Sequence, residues 1–179
     1  VKRGKFSESE FLKRRILQFK SGSADIYAMH CGVGKVNAAA AAAHLADEGC
    51  EIMLNYGLSG GISRVRRGDI CVGTRFLEHD FDLSGIGYRL CEKPGQTYIY
   101  EADEQLNGMI LSLLPGAVTG TAVTGDCFVN DGALREKLKT EFDAVCCDME
   151  TAAVAYVCSF AGIPFASVRR ISDDAGADA

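Results

Sequence analysis

Two groups of carboxylates stand in the sequence where a strand-like segment ends. Asp173 and Asp174 follow the strand-like run Phe165–Ile171, and Asp148-Met149-Glu150 spans the junction between a strand and an alanine-rich helix. A carboxyl group in the first position can act as a general acid towards a leaving group. One in the second position can accept hydrogen bonds from vicinal sugar hydroxyls. Solvation of a loop and capping of a helix N-terminus are the alternatives that involve no chemistry.

The segment Gly32–Lys35 suggests a different chemistry, because it follows a strand and opens a helix. Glycines at such a point let backbone amides approach a phosphate at the positive end of the helix. The segment lacks the first glycine and the final hydroxyl of a P-loop, and Ala38 stands near the third glycine of a dinucleotide fingerprint. A tight turn without a ligand is therefore an equally good interpretation.

The segment Gly57–Gly61 matches the G-x-S-x-G pattern, which places a nucleophilic serine, here Ser59, on a sharp turn between a strand and a helix. The residues that follow are basic and loop-like rather than helical. The downstream acid and histidine of a triad would have to be Asp69 and His79. This spacing is too short for the usual fold, so a serine hydrolase is the weaker alternative.

His79, Asp80 and Asp82 bring three potential metal ligands together in sequence. If this segment is extended, alternation puts His79 on one face and the two aspartates on the other. We therefore predict no metal site here. The eight cysteines show no C-x-x-C spacing and lie mostly in apolar runs, where cysteine acts as a small hydrophobe. They predict reduced thiols and a cytoplasmic protein.

Length and charge limit the classes of function. With 179 residues the chain can form one domain with a substantial core. A net charge of -5 argues against a nucleic-acid-binding surface. No apolar stretch reaches the roughly 18 residues of a membrane-spanning helix, so we expect no membrane partner.

Strand-like and helix-like segments alternate along the chain. We predict a helix running into a strand over Phe6 to Phe19, a strand over Ala24–Cys31, a buried helix over Lys35–Glu48 and a short strand over Glu51–Asn55 that glycines end. The later elements follow the same alternation: strands Asp69–Leu77, Tyr98–Tyr100, Gly116–Thr124 and Phe165–Ile171, with helices Asp103–Leu114, Leu134–Phe142 and Glu150–Ala161. This order predicts an α/β fold, a single three-layer αβα domain with a mixed, mostly parallel central sheet. Ligands of such sheets bind beyond the carboxyl ends of the strands.

Seven motifs in this order resemble those of the 5′-methylthioadenosine/S-adenosylhomocysteine nucleosidases and their phosphorylase relatives. They are Gly32–Val36, Asn55–Gly61, Gly68–Ile70, His79–Tyr88, Thr124–Asn130, Asp148–Ala153 and Arg169–Asp173. The resemblance implies hydrolysis of the N-glycosidic bond of an adenine nucleoside without a cofactor.

The resemblance also implies roles for individual residues. Asp173 is the general acid at purine N7, and Arg169 and Ser172 orient the attacking water and Asp173. The implied substrate contacts are the ribose-binding pair Met149 and Glu150, the base-stacking Phe128, the Val129 backbone at the base edge, and Val33 as an apolar wall. In the family the segment His79–Tyr88 crosses a two-fold interface and closes the neighbour's pocket, which implies a homodimer. The matching positions are Leu83, Ile86 and Tyr88.

A phosphorylase and a non-catalytic nucleoside-binding protein remain alternatives. Phosphorylases of this family place an arginine before the glycine turn, whereas the segment Met53–Tyr56 contains none, which favours water as the nucleophile. The family's water-activating glutamate follows a first strand that has no counterpart in this sequence, since neither Glu8 nor Glu10 is predicted to follow a strand. We therefore expect residues 1–179 to form one nucleosidase-like domain without the family's first strand and last helix.

Overall fold

The computed structural model of the protein describes residues 6–176. Its helices are α1 (Lys35–Asp47), α2 (Glu104–Leu113), α3 (Gly132–Phe142) and α4 (Thr151–Ala161). Its strands are β1 (Phe6–Phe11), β2 (Arg14–Ser21), β3 (Ala24–Met29), β4 (Met53–Gly61), β5 (Ile70–Glu78), β6 (Ile99–Glu101), β7 (Val118–Thr124), β8 (Ala144–Asp148) and β9 (Phe165–Asp173). The predicted alternation of strands and helices from Ala24 onwards is confirmed.

The central sheet has the strand order β6-β5-β7-β8-β4-β9, and β5 also pairs with β9. Five strands therefore close into a barrel, with β6 added on the outside edge of β5. The pairs β5–β7, β7–β8 and β4–β9 are parallel, while β4–β8, β5–β9 and β5–β6 are antiparallel. The predicted α/β class with a mixed sheet is confirmed, and the closure of the sheet is a feature that the alternation of elements did not indicate.

The segment Phe6–Phe19, predicted as a helix leading into a strand, is a β-hairpin. β1 and β2 pair antiparallel with Phe11 opposite Arg14, and β3 continues this three-stranded sheet beside β2. The hairpin turn is Leu12-Lys13, and both residues have positive φ angles of 48° and 62°. A two-residue turn with this backbone matches the twist of the strands, but it usually contains asparagine or glycine. Leu12 and Lys13 therefore carry no turn signal that could be recognised beforehand.

The short strand predicted over Glu51–Asn55 is in fact the nine-residue strand β4, which continues through the glycines to Gly61. These glycines provide room rather than a turn. A Cβ atom on Gly57 would lie 2.6 Å from Nη1 of Arg169, and one on Gly60 would lie 3.0 Å from Oδ1 of Asp173. The glycines thus let two polar side chains approach the β4 backbone closely.

The core lies between the barrel and the alanine-rich helices α1 and α4. Ala38 and Ala42 of α1 pack in the same buried cluster as Ala152 and Ala155 of α4. Small side chains allow the two helices to approach each other and to rest on the sheet. This packing fixes the N-terminus of α1 and the N-terminus of α4 near one end of the barrel.

Candidate active site

The ends of three barrel strands meet at Gly60. In the register of the sheet Gly60 lies opposite Cys147 of β8 and opposite Asp173 of β9. Asp148, the last residue of β8, lies one position beyond Cys147. The barrel therefore brings together the two carboxylate groups that lie 25 positions apart in the sequence.

Asp148 is the centre of a buried hydrogen-bond cluster. Its Oδ1 accepts hydrogen bonds from the Thr124 hydroxyl at 2.8 Å and from the Thr151 amide at 2.9 Å. Its Oδ2 accepts a hydrogen bond from the Thr151 hydroxyl and forms an ion pair with Nε of Arg169 at 3.3 Å. The carboxylate caps α4 and has its acceptor positions filled by the protein. Its role is to position its neighbours.

Arg169 connects this cluster to the cavity. Its side chain is 3% exposed, and it donates hydrogen bonds to Ser59 Oγ at 2.9 Å and to Asn55 Oδ1 at 2.8 Å. A further hydrogen bond at 3.4 Å reaches Oε2 of Glu150. Because the guanidinium is surrounded by these acceptors, it holds Glu150 in a fixed orientation.

Glu150 precedes α4 and does not cap that helix with its side chain. Instead its Oε1 accepts a hydrogen bond from the backbone amide of Gly34, at the start of α1, at 3.0 Å. The capping alternative for this carboxylate is therefore wrong, since Asp148 caps α4. Glu150 points towards the Gly32–Lys35 turn, and Arg169 lies on its other side.

Val33, Glu150 and Arg169 line the same cavity, which has a volume of about 390 Å³. The two polar side chains stand on one wall, and apolar residues of α1 and β4, including Ala42 and Leu54, form much of the rest. A pocket with few polar groups in an apolar lining is typical of a site for a small organic ligand.

Asp173 is half-buried at the end of β9. Its Oδ2 accepts a hydrogen bond from the Ser172 hydroxyl at 2.6 Å, and its Oδ1 accepts one from the Ala175 amide at 2.9 Å. Ser172 thus contacts Asp173 as the resemblance implies. The hydrogen bonds of Arg169 go to Glu150 and to β4 residues instead. The adjacent Asp174 is exposed, so the two neighbouring carboxylates lie in different environments.

The loop that follows β7 carries Phe128 and Val129. The Phe128 ring is 62% exposed, whereas Val129 is buried in the apolar cluster that includes Cys147 and Ala175. Met149 is half-buried between Asp148 and Glu150. These three predicted substrate contacts do not line the cavity beside Glu150, and neither do Ser172 and Asp173.

The predicted interface positions lie in the segment between β5 and β6. Ile86 is 72% exposed and Tyr88 is 37% exposed, while Leu83 is half-buried. A short 3-10 turn over Ser84–Ile86 presents this apolar surface to solvent. Large apolar side chains that are exposed side by side are typical of a contact surface.

Ser59 lies inside the continuous strand β4 and is 3% exposed. Its hydroxyl accepts the hydrogen bond from Arg169, and the strand-to-helix turn that exposes a nucleophilic serine does not occur there. The serine-hydrolase alternative is therefore wrong.

Three residues outside the predicted set hold the site together. Lys35 donates through Nζ to Asp80 at 2.7 Å, and its backbone amide donates to Asp126 at 2.8 Å. The pKa of Lys35 is raised, because hydrogen bonds and charge from Asp80 and Glu78 outweigh burial, which acts in the opposite direction. Burial acts to raise the pKa of Asp80, but hydrogen bonds from Lys35 and the Asp126 amide, with the charge of Lys35, lower it overall. Lys35 and the pair His79-Asp80 each belong to a motif that the sequence shows, but only the fold brings Lys35 and Asp80 into contact.

A closed α/β barrel with carboxylates gathered at its strand ends is the architecture of an enzyme that acts on a small molecule. The family model described as the phosphorylase superfamily matches residues 3–179. The chain belongs to this superfamily.

Named relatives agree with this assignment. A 5′-methylthioadenosine/S-adenosylhomocysteine nucleosidase of Geobacillus sp. (strain WCH70) is 34% identical over 98% of this chain and 81% of its own length. The S-adenosylhomocysteine nucleosidase of Streptococcus pyogenes, in complex with 5-methylthiotubericidin, superposes with a TM-score of 0.92 at 30% identity, covering 97% of this chain and 77% of that one. A futalosine hydrolase of Helicobacter pylori gives a TM-score of 0.94 at 26% identity, with 99% and 78% coverage.

Proposed function

We propose that this protein hydrolyses the N-glycosidic bond of an adenine nucleoside of the 5′-methylthioadenosine or S-adenosylhomocysteine type, releasing adenine and the free sugar. Two of the named relatives are nucleosidases of such nucleosides, and one of these is solved in complex with 5-methylthiotubericidin. The two carboxylates have distinct positions that suit this reaction. Glu150 stands on the cavity wall, where sugar hydroxyls can donate to it, and Asp173 stands at the end of β9.

The observation that carries hydrolysis rather than phosphorolysis is the occupied N-terminus of α1. The Gly34 amide donates to Glu150, and the Lys35 amide donates to Asp126. The positive end of a helix is where a phosphate would otherwise bind. Here the protein's own carboxylates fill that position, and a second anion beside them would be repelled.

The arginine content of the cavity supports the same conclusion. Arg169 is the one arginine among the described residues that line it. Its guanidinium already donates to Asn55, Ser59 and Glu150. The guanidinium therefore has no pair of free N–H donors with which to bind a phosphate. An uncharged water molecule is the nucleophile that fits this site.

In the proposed reaction a water oxygen forms a bond to C1′ while the C1′–N9 bond breaks, and the water releases one proton to solvent, from which Asp173 later regains the proton that it gives up. The electron pair of the broken bond moves into the purine, and Asp173 transfers its proton to purine N7. Protonation makes the heterocycle a better leaving group and is worth about 10²–10⁴ in rate for a positioned acid. Phe128 stacks on the base, Val129 contacts the base edge, Met149 and Glu150 bind the ribose, and Val33 adds an apolar wall. Ser172 orients Asp173, and Arg169 positions Glu150.

We propose further that the protein is a homodimer in the cytoplasm. The exposed side chains of Ile86 and Tyr88, with Leu83, support a two-fold interface that closes the partner's pocket. All eight cysteines lie within the described residues as free thiols, as in a reducing compartment. Within residues 6–176 the helices are too short or too polar to cross a bilayer.

Residues 1–179 are proposed to form one nucleosidase-like domain with room for an additional strand between β3 and β4. In the described residues β3 is an edge strand, and Met53–Ser59 of β4 pairs with β9 on one side only. Both strands line the cavity, and Leu54, Tyr56 and Leu58 of β4 are exposed.

The test is product analysis by chromatography, with purified protein and a panel of 5′-methylthioadenosine, S-adenosylhomocysteine, futalosine and inosine. The proposal expects free adenine and free sugar from the adenine nucleosides in phosphate-free buffer. Phosphate or arsenate should not increase the rate. A strict requirement for phosphate would show a phosphorylase, and adenine binding by calorimetry without product would show a non-catalytic member.

A further inference from the structure

The loop Gly125–Asn130, here called the 125–130 loop, carries the exposed ring of Phe128 and needs a support outside itself. Its first residues are attached at three points. The Gly125 amide donates to the Asp148 carbonyl at 3.0 Å, the Asp126 amide donates to Oδ2 of Asp80 at 2.8 Å, and Oδ1 of Asp126 accepts from the Lys35 amide. Two of these three attachments are hydrogen bonds to Asp80 or Lys35.

Asp80, Lys35 and Asp126 form a closed triangle in which each residue contacts the other two. One oxygen of Asp80 accepts from the Asp126 amide, and the other accepts from Nζ of Lys35. The Lys35 amide completes the triangle through the Asp126 carboxylate. A carboxylate that binds a backbone amide and an ammonium at once restrains both in direction as well as distance.

The triangle also ties the 125–130 loop to the ribose side of the site. Gly34 and Lys35 are consecutive, and their amides donate to Glu150 and Asp126 respectively. The 125–130 loop and Glu150 are therefore both hydrogen-bonded to the N-terminus of α1. For a nucleoside, the N-terminus of α1 therefore supports both the loop that binds the base and the carboxylate that binds the sugar.

The residues beside the triangle pack closely, so a displacement of Asp80 would also move the 125–130 loop. The side chains of Lys35 and Asp80 are 18% and 28% exposed, so their ion pair is shielded more than a surface pair. His79 packs directly against Gly125, where a Cβ atom would lie 2.4 Å from its Nε2. Consecutive residues His79 and Asp80 thus contact consecutive residues Gly125 and Asp126.

We propose that Asp80 is a positioning residue that holds the 125–130 loop in its base-binding position through Asp126 and Lys35. This inference rests on the proposed function, because it assigns base binding to that loop. Asp80 itself does not touch the substrate. Its removal should weaken binding of the base and leave the chemistry of the bound substrate largely intact.

The test compares Asp80→Ala and Asp80→Asn with the control Glu78→Gln in the full chain. Glu78 also pairs with Lys35, at 3.1 Å, but it has no hydrogen bond to the loop. The measurements are calorimetric binding of adenine, KM and kcat for 5′-methylthioadenosine, and hydrogen exchange of the Asp126 amide without ligand. Thermal melts verify that each variant is folded.

For Asp80→Ala we expect the adenine Kd and KM to rise about tenfold, kcat to stay within about threefold, and the Asp126 amide to exchange at least about tenfold faster. Asp80→Asn keeps an acceptor for that amide and should restore most of the protection. If Asp80→Ala fails to fold, Asp80→Asn carries the test with a rise in Kd of about threefold.

Wild-type adenine affinity in Asp80→Ala would overturn the inference, and so would an equal loss of affinity in Glu78→Gln. Unchanged exchange of the Asp126 amide in Asp80→Ala would overturn it without reference to any ligand. A wild-type protein that neither binds nor releases adenine would instead refute the proposed function. In that case the exchange measurement still decides whether Asp80 holds the loop.

Discussion

The buried Asp148 cluster, formed by Thr124, Asp148, Thr151 and Arg169, contrasts with a set of exposed apolar side chains, Val33, Ile86, Tyr88 and Phe128, here called the apolar rim. In the cluster, hydroxyls, amides and a guanidinium satisfy the carboxylate of Asp148 almost without solvent. In the rim, large apolar side chains face water, with Ile86 and Phe128 more than half exposed. One region has its contacts satisfied within the folded chain, and the other leaves large apolar side chains uncovered.

The difference separates two roles that lie close together in sequence. Asp148 and Glu150 are two residues apart, yet the first is used to build the end of the barrel and the second faces the cavity. Changes in the cluster should therefore act on stability, and changes in the rim should act on binding. Three substitutions test this division, and a fourth, at the buried His79 outside both regions, adds a test by pH; they follow in order of decreasing expected effect.

Replacing Arg169 with methionine should have the largest effect on stability. Arg169→Met removes the cation beside Asp148, whose side chain is 1% exposed, and leaves a buried carboxylate without its charge partner. Breaking a buried pair on one side costs about 3–5 kcal/mol. Denaturant unfolding measures this loss. Arg170→Met is the control, since the neighbouring arginine is exposed, and a similar loss in both variants would contradict the role of the cluster.

Replacing Phe128 with alanine should weaken substrate binding without affecting the fold. An aromatic ring that stacks on a base is worth about 1–3 kcal/mol by alanine substitution. Phe128→Ala should raise the Kd for adenine accordingly, while the melting temperature stays unchanged because the ring is exposed. Phe160→Ala, at an exposed ring on α4, should alter neither quantity. Equal adenine affinity in both variants would remove Phe128 from the site.

His79 should give stability a pH dependence. Burial lowers the pKa of His79 from its ordinary value of 6.5, so the unfolded chain binds more protons in the interval below 6.5. The contribution of neutral His79 is therefore fully present above pH 6.5 and is lost as pH falls towards the folded pKa. His79→Gln should lose less stability than wild type between pH 7.5 and 5 in denaturant titrations. His30→Gln, at an exposed histidine, should follow the wild-type curve; the opposite ranking would contradict this assignment.

Replacing Ile86 with aspartate should have the smallest effect on the fold. The residue is 72% exposed, and surface substitutions usually change stability by less than about 0.5 kcal/mol. If the rim is the interface, sedimentation should show a dimer for wild type and a monomer for Ile86→Asp. Leu113→Asp, at a 79% exposed position on α2, should remain dimeric. A monomeric wild-type protein would contradict the proposed interface.

Most elements from Ala24 onwards could be predicted from the sequence, because apolar periodicity and capping residues act locally. The helix predicted over Asp103–Leu114, for example, is α2 with Asp103 as its N-cap, whose side chain accepts a hydrogen bond from the Leu106 amide. The prediction failed where a tertiary contact decided the backbone. Gly57 and Gly60 indicated a turn, but the close approach of Arg169 and Asp173 explains those glycines.

The candidate site shows the same limit. Glu150 and Asp173 could be selected from their motifs, since a carboxylate beside a strand end is conspicuous in the sequence. No role for Asp80 is predicted from the sequence. Alternation along a strand places it on the opposite face from His79, which argues against a metal site. Its partners Lys35 and Asp126 lie 45 and 46 positions away, and no local pattern connects them.

The most direct test of the account is adenine release by Asp173→Asn compared with Asp174→Asn, measured in phosphate-free buffer with 5′-methylthioadenosine. Asparagine keeps the shape of the side chain but has no acidic proton to transfer. Asp173 is half-buried and bonded to Ser172, whereas Asp174 is exposed. The account predicts a fall in kcat of about 10²–10⁴ for Asp173→Asn and a nearly unchanged kcat for Asp174→Asn. Equal activity in the two variants would contradict the assignment of Asp173 as the general acid.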